Sequence, residues 1–337
     1  YPDIEKTLVD IFTMSSTSTS LDKSPTILSF RVPLSGDKKL INTIFSAYNT
    51  FVKATPAPKI GLVVDYEKGK VSDHSEILAQ TVSHGGNVTF SKGMSSTNAI
   101  RHSSKTSEPS IKLGSLSINL PRLALESSKD ETYFRARLVL LMKPAIAAMA
   151  TRNKDVSDLI RRGVNPILAE KTQFMQKNNS SLILNLVGLK EAVYKILGHK
   201  DDKEGKEILN KVLETAVDIA HKKGQEMGID VSIAMVDSDE LTRFVILDSE
   251  KYGKNSIMDV LEGDLYSQGL ELNYAELGKL TAKSDIISEY NKISKTLDGG
   301  LLVKLPFDPK AKEDDIKKAI EKASSLISSF KPIKHTK

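Results

Sequence analysis

The 337 residues contain no cysteine. That excludes a disulfide framework, a thiolate nucleophile, a Cys-ligated zinc site and a Cys-held iron–sulfur cluster within the chain. No run of eighteen apolar residues occurs, so no stretch reads as a membrane-spanning helix. No secretory signal opens the chain, which makes the cytoplasm the expected compartment. The chain starts at Tyr1 without an initiator Met, so further residues are expected upstream. No G-x-G-x-x-G follows a strand pattern, and no G-x-x-x-x-G-K-S/T occurs. No G-x-S-x-G elbow supports a serine triad. The six histidines, at 74, 84, 102, 199, 221 and 335, are scattered without metal-ligand spacing, so structural or solvent-exposed roles are expected for them. Neither a metal nor a cofactor is expected.

What is present is an ordinary globular composition. Hydrophobic residues make up 39% and charged residues 27%, which suffices for a packed core. The 48 basic and 43 acidic residues leave a net charge of +5, too mild to argue for a nucleic-acid partner.

Strand and helix patterns alternate. "TILSFRV" (26–32), "IGLVVDY" (60–66), "NVTF" (87–90), "SLILNLVG" (181–188), "VSIAMV" (231–236) and "GLLVKL" (300–305) read as strands, with a weaker one near 265–272. Helices are expected over 37–54, capped by Asp37, and over 73–84, 202–227, 278–296 and 313–329. A longer helical region runs from 130 to about 177 and breaks near Gly163 and Pro166. Residues 13–24 are Ser/Thr-rich and read as a loop. Residues 91–112 read as a second, long loop, of a length that is usually functional or disordered. Several strands are apolar on both faces, which favours an α/β architecture with a mainly parallel sheet.

One strand stands out. In "GSLSINLPRLALES" (114–127), Leu116, Ile118 and Leu120 alternate with Ser115, Ser117 and Asn119, and Pro121 then ends the strand. Either the polar face meets a ligand inside a barrel or the strand is an edge with a wet face. Asn185 in "LILNLVG" repeats the theme; as a buried amide it needs partners, and a satisfied core amide is favoured over a ligand contact. In "DSDELTRFVILDSEKYG" (237–253), Arg243 and Asp248 read as part of a surface ion-pair network rather than a phosphate site. Gly299-Gly300 reads as a tight lead-in to a strand, with close backbone approach to a ligand as the functional version.

Taken in order, these segments resemble the barrel of anaerobic (class III) ribonucleoside-triphosphate reductases, which are glycyl radical enzymes. "GSLSINLPRLALES" and "SSLILNLVGLKEAV" carry the resemblance most specifically. "ELTRFVILDSEKYG", "YSQGLEL", "LDGGLLVKL" and "FSAYNTFVKATPAPKIGLVVDY" add weaker matches, so that it covers most of residues 37–325. The resemblance implies part of a ten-stranded α/β barrel of the glycyl radical enzyme and ribonucleotide reductase type. It implies that Asn119 lies near a substrate ribose; Ser117, Ser115 and Asn185, which the strand patterns single out, are the further substrate-binding candidates. Residues 25–330 would form a single barrel-like domain, with an N-terminal segment and loop at 1–24 and a basic tail at 331–337.

The departures are chemical. The family carries a thiyl-radical cysteine on a finger loop just before this strand. The matching stretch here, "SKGMSSTNAIRHSSKTSEPSIK", has serines, among them Ser95, Ser96, Ser103 and Ser104, and no cysteine. A serine O–H bond is much stronger than S–H, so serine cannot take that role. The family's glycyl-radical loop, the four-Cys zinc site and the N-terminal nucleotide-sensing domain are also not seen. No catalytic residue is therefore assigned. Three readings stand on sequence. The chain is a non-reducing relative that binds a ribonucleotide or regulates another chain. Or it is part of an active reductase completed by another chain. Or it is a non-radical enzyme in an old barrel. A homodimer or a reductase-related partner chain fits the first two.

Overall fold

The computed structural model describes residues 2–17, 29–55, 58, 60–66, 71–92, 111–164, 180–198, 203–238, 240–258, 261 and 264–334. Among the described residues ten strands are formed: β1 (Ser29–Pro33), β2 (Gly61–Asp65), β3 (Val88–Ser91), β4 (Ile111–Asn119), β5 (Ser180–Val187), β6 (Asp230–Met235), β7 (Leu270–Glu271), β8 (Gly300–Leu301), β9 (Val303–Phe307) and β10 (Ser329–Lys334). Twelve α-helices are described among them: α1 (Pro2–Thr17), α2 (Lys38–Ala54), α3 (Ser75–Ser83), α4 (Leu120–Glu126), α5 (Glu131–Arg161), α6 (Leu189–Leu197), α7 (Lys203–Met227), α8 (Leu241–Tyr252), α9 (Lys254–Met258), α10 (Tyr274–Leu277), α11 (Asp285–Thr296) and α12 (Glu313–Leu326). The Cα packing divides the chain into two compact units, where the sequence suggests one domain over 25–330.

The first unit comprises residues 1–97, 271–291 and 302–337. Its sheet has the order β1-β2-β3-β10-β9-β7. β1, β2 and β3 are parallel, and β2 is apolar on both faces, as buried parallel strands are. α2 follows β1. The Asp37 carboxylate accepts from Leu40 N at 2.8 Å, and Ile41, Phe45, Tyr48 and Val52 form the buried stripe. The helix expected over 73–84 runs from Ser75 to Ser83, preceded by a 3-10 turn at Val71–His74.

Two expectations need correction here. Helix α1 extends through Thr17, into the stretch read as a loop from 13. The C-terminal segment read as a tail from 331 continues as β10 to Lys334. The sequence obscured β10 because Pro332 interrupts it. The antiparallel pairing to β3 stops at Phe330, so the proline breaks no ladder bond on that side. Phe330 anchors the strand by stacking on Phe90 at 4.6 Å.

The second unit comprises residues 98–270 and 292–301, and carries the order β4-β5-β6-β8. All of its pairings are parallel. β5 is buried from Leu182 to Val187, so both its faces are covered. The α5 stripe of Phe134, Leu138, Met142 and Ile146 is buried, as is the α7 stripe of Ile208, Val212, Ala216 and Ala220. The long helical region ends at Arg161; its expected continuation to about 177 lies outside the described residues beyond 164. Gly299 is a close-approach glycine. A Cβ there would meet the Ile233 carbonyl oxygen at 2.6 Å, so it is the neighbouring strand's backbone that approaches, not a ligand.

Candidate functional site

The strand that raised the functional question pairs with β5 in register. Ser115 lies opposite Ile183, Ser117 opposite Asn185 and Asn119 opposite Val187. Ser115, Ser117, Asn119 and Asn185 therefore share one face, because side chains alternate along a strand. Ile118, on the other face, is buried. Successive strands all end at the same edge. In open parallel α/β sheets this carboxyl edge is where ligands bind.

Asn119 explains why the strand stops at a proline. Its side-chain oxygen accepts from Arg122 N at 3.1 Å, which makes it the N-cap of α4. Pro121 then sits in the first helical turn, where its missing N–H removes no helix bond. The Asn119 amide nitrogen donates to Asp248 Oδ2 at 2.8 Å. One amide N–H of Asn119 remains for another acceptor.

Asp248 is the centre of the cluster and is fully buried. It accepts from three side chains: Asn119, Arg122 Nε at 2.5 Å to Oδ1, and Tyr266 Oη at 2.8 Å to Oδ2. Burial, and then the negative charge of Asp248, push the Tyr266 phenol well above its usual range, so it remains a donor. This corrects the surface-network reading of 237–253. Asp248 faces inward on α8, and Arg122, 126 residues away in sequence, is its cation; Arg243 is exposed.

Residues 266–268 tie the strand ends together. They were expected as part of a weak strand; only Leu270–Glu271 pairs as one. The hydrogen bonds of 266–268 go instead to the start of α6, to α8 and to the loop after β6. Gly188 N donates to the Ser267 carbonyl at 2.9 Å. Glu191 accepts from Ser267 N at 2.7 Å and from its hydroxyl at 2.6 Å. Burial holds the Glu191 carboxyl above the usual carboxylate range, against the opposing pull of Ser267. Gln268 Oε1 accepts from Ser238 N at 2.6 Å. The Ser238 and Ser117 hydroxyls lie 2.9 Å apart.

The four substrate-site candidates thus differ. Asn119 and Ser117 lie in the network. Ser115 is on the same face but exposed and apart from it. Asn185 is buried, and its amide is committed to the chain itself: Nδ2 donates to the Val236 carbonyl at 3.0 Å, and Oδ1 accepts from Val236 N at 2.9 Å. Those bonds end β6 and supply partners that a buried amide requires. Ser95, Ser96, Ser103 and Ser104 lie outside the described residues. Asp248, Arg122, Tyr266, Glu191 and Ser267 are the residues that sequence reasoning missed as a group. The capping pattern Asn119–Pro121–Arg122 was a readable signal for the start of α4.

Among the described residues, no group of three His, Asp or Glu side chains is placed to hold a metal ion. His74 bonds Asn42 in the first unit, and His221 bonds Asp298 in the second.

A second polar cluster in this unit makes a pH prediction. Glu126 accepts from Arg137 at 2.7 Å and from Lys251 and Tyr252 at 2.9 Å each. Partial burial alone would raise its pKa, but these three donors outweigh it and pull it from 4.5 to about 2. The stability it contributes is present above its unfolded value and fades as the pH falls from about 5 toward 2. Glu126→Gln should cost about 1–2 kcal/mol near neutral pH, discounted for the half-exposed cations. Urea unfolding as a function of pH should show that difference closing in acid. A constant difference down to pH 2 would contradict it.

The sequence model of the family described as anaerobic ribonucleoside-triphosphate reductase matches residues 49–328. No curated protein sequence matches the chain. Among solved structures, the Thermotoga maritima anaerobic ribonucleotide reductase in complex with dATP and CTP is similar at 14% identity and a TM-score of 0.65, covering 98% of this chain and 61% of its own. The same enzyme with dATP in its specificity site matches at 16% identity, a TM-score of 0.65, and 98% and 62% coverage. The B12-independent glycerol dehydratase of Clostridium butyricum matches at 12% identity, a TM-score of 0.63, and 98% and 55% coverage. The ten strands and their helices are thus a partial barrel of this fold class. The chain spans about three fifths of the length of the reductase chains it matches.

Proposed function

Because the chain belongs to the anaerobic ribonucleoside-triphosphate reductase family, we propose that it binds a ribonucleotide at the carboxyl edge of β4–β6 and does not reduce it. The observation that carries this reading is the cysteine-free sequence, and above all the absence of cysteine from residues 92–110, between β3 and β4. The family's reduction begins with a thiyl radical that removes a hydrogen atom from the ribose. A serine hydroxyl there would need a far stronger bond broken and would give an unselective oxygen radical.

Binding makes smaller demands than reduction. It needs a shaped edge, a few fixed polar groups and exclusion of water. Asn119 offers one amide N–H, held in orientation by its cap bond and by Asp248. The paired hydroxyls of Ser117 and Ser238 lie on the same edge. A ribose hydroxyl or a base edge is the kind of group they can meet. The cytoplasm, where ribonucleotides are held, is the compartment that such a role requires. No described helix is long and apolar enough to cross a membrane. Regulation of a second copy or of a reductase-related chain is the role we assign to a nucleotide bound without turnover.

Asn119→Ala tests the site. It should weaken ribonucleotide binding about tenfold or more in calorimetric titration, since it removes a pre-oriented donor. It should also cost about 1–2 kcal/mol of stability through the lost N-cap. Unchanged affinity with the stability loss present would leave Asn119 a cap and remove it from the binding site.

A further inference from the structure

Among the described residues, the guanidinium of Arg122 is held at its Nε edge. Its Nε donates to Asp248 Oδ1, and among the described residues this is the hydrogen bond its side chain makes. An arginine that serves only to neutralise a buried carboxylate commonly presents two parallel N–H groups to it. That arrangement is closed off here. The other carboxylate oxygen is already taken by Asn119 and Tyr266. The Arg122 side chain is also 32% exposed, whereas Asp248 is fully buried. The Nε bond therefore fixes the direction of the two Nη groups of this partly exposed side chain, beside Asn119 and at the carboxyl edge of a parallel sheet.

We propose that Arg122 is an oxyanion-binding residue, and that its Nη groups receive a phosphate of the bound ribonucleotide. This rests on the ribonucleotide reading above. The Nη pair matches two oxygens of a phosphate in the geometry that arginine, and not lysine, supplies. Asp248 acts as a positioning residue. It fixes the Nε edge and, through Oδ2, the amide of Asn119, so one buried carboxylate aligns a cationic donor and a neutral donor at a single edge. No hydrogen-bond donor has to be reorganised when the anion arrives, which is the condition under which charge-assisted bonds contribute most.

The test is a titration series with the whole chain. Each of the four ribonucleosides, its 5′-monophosphate and its 5′-triphosphate are titrated separately, with sodium tripolyphosphate as a base-free anion. For the nucleoside that binds, the phosphorylated forms should bind about ten- to a hundredfold more tightly. Arg122→Lys keeps a cation against Asp248 and removes the planar pair. It should abolish most of that difference, weakening the phosphorylated forms about tenfold more than the nucleoside. Equal weakening of nucleoside and nucleotides, or none, would overturn the role of Arg122 while leaving nucleotide binding in place. Tripolyphosphate binding alone, lost in Arg122→Lys, would keep the anion site and end the nucleotide reading. No binding by any compound would end both. Should Arg122→Lys fail to fold by its thermal melt, 15N arginine spectra of the native chain decide the point. A nucleotide-induced shift of one Nη resonance set supports the role, and its absence at saturation contradicts it.

Discussion

Asp248→Ala should cost about 3–5 kcal/mol, a large part of the stability of an ordinary domain. Removing the carboxylate leaves Arg122 without its anion and leaves Asn119 and Tyr266 with donors aimed at an empty space. Asp248→Asn should do little better. Three donors converge on this side chain, and an amide brings two N–H groups of its own to a place that requires acceptors only. Urea unfolding followed by circular dichroism gives the comparison. Arg122→Met should be nearly as costly, because it strands a buried charge. The double variant Arg122→Met with Asp248→Ala should lose less than the sum of the two, since residues in one network couple. Losses below about 1 kcal/mol for either Asp248 variant would mean that the cluster does not hold this unit together.

Gly188→Ala carries the second large effect. Gly188 stands at the start of α6 with φ +71°, and a Cβ there would lie 2.3 Å from Pro121 Cγ and 2.5 Å from Cδ. Both atoms belong to a rigid ring in the first turn of α4, so the clash cannot be relieved by a rotamer change. Left-handed strain and overpacking together should cost about 2–4 kcal/mol. Gly198, with φ +82° and nothing within 4 Å of its Cβ position, is the internal control. Gly198→Ala should show the strain alone, about 1 kcal/mol. Pro121→Ala in the Gly188→Ala background should recover part of the loss. Equal costs at the two glycines would show that the β4–α4 and β5–α6 turns are not in tight contact.

These two positions also show what could be read in the chain. The alternation of Ser115, Ser117 and Asn119 with Leu116 and Ile118 placed the strand, its pairing to β5 and its polar face, because a period of two survives in the sequence wherever one face is buried. Gly188 is visible as a residue, but its purpose is not. The need for glycine comes from Pro121, 67 residues earlier, and proximity of that kind leaves no local pattern. Asp248 was misread for a related reason. An acidic residue among Arg243, Glu250 and Lys251 looks solvated, and only the packing of α8 shows that it faces inward. Residues 266–268 were read as strand because they lead into one. Their hydrogen bonds instead go to α6, α8 and the loop after β6. Asn185 reads in the sequence as a satisfied core amide ahead of a ligand contact, and its two bonds to Val236 supply partners of that kind.

The central claim, that a ribonucleotide is bound and not reduced, is tested most directly by measuring both in one sample. The natural protein, purified with any sequence that flanks these 337 residues, is incubated without oxygen with a glycyl-radical activating enzyme, S-adenosylmethionine, a reductant and each ribonucleoside triphosphate in turn. Bound nucleotide and deoxyribonucleotide product are then quantified side by side. The expected result is saturable binding of at least one ribonucleotide, weakened by Asn119→Ala, with no deoxyribonucleotide above the activator-only blank. Formation of any deoxyribonucleoside triphosphate by the protein would contradict it.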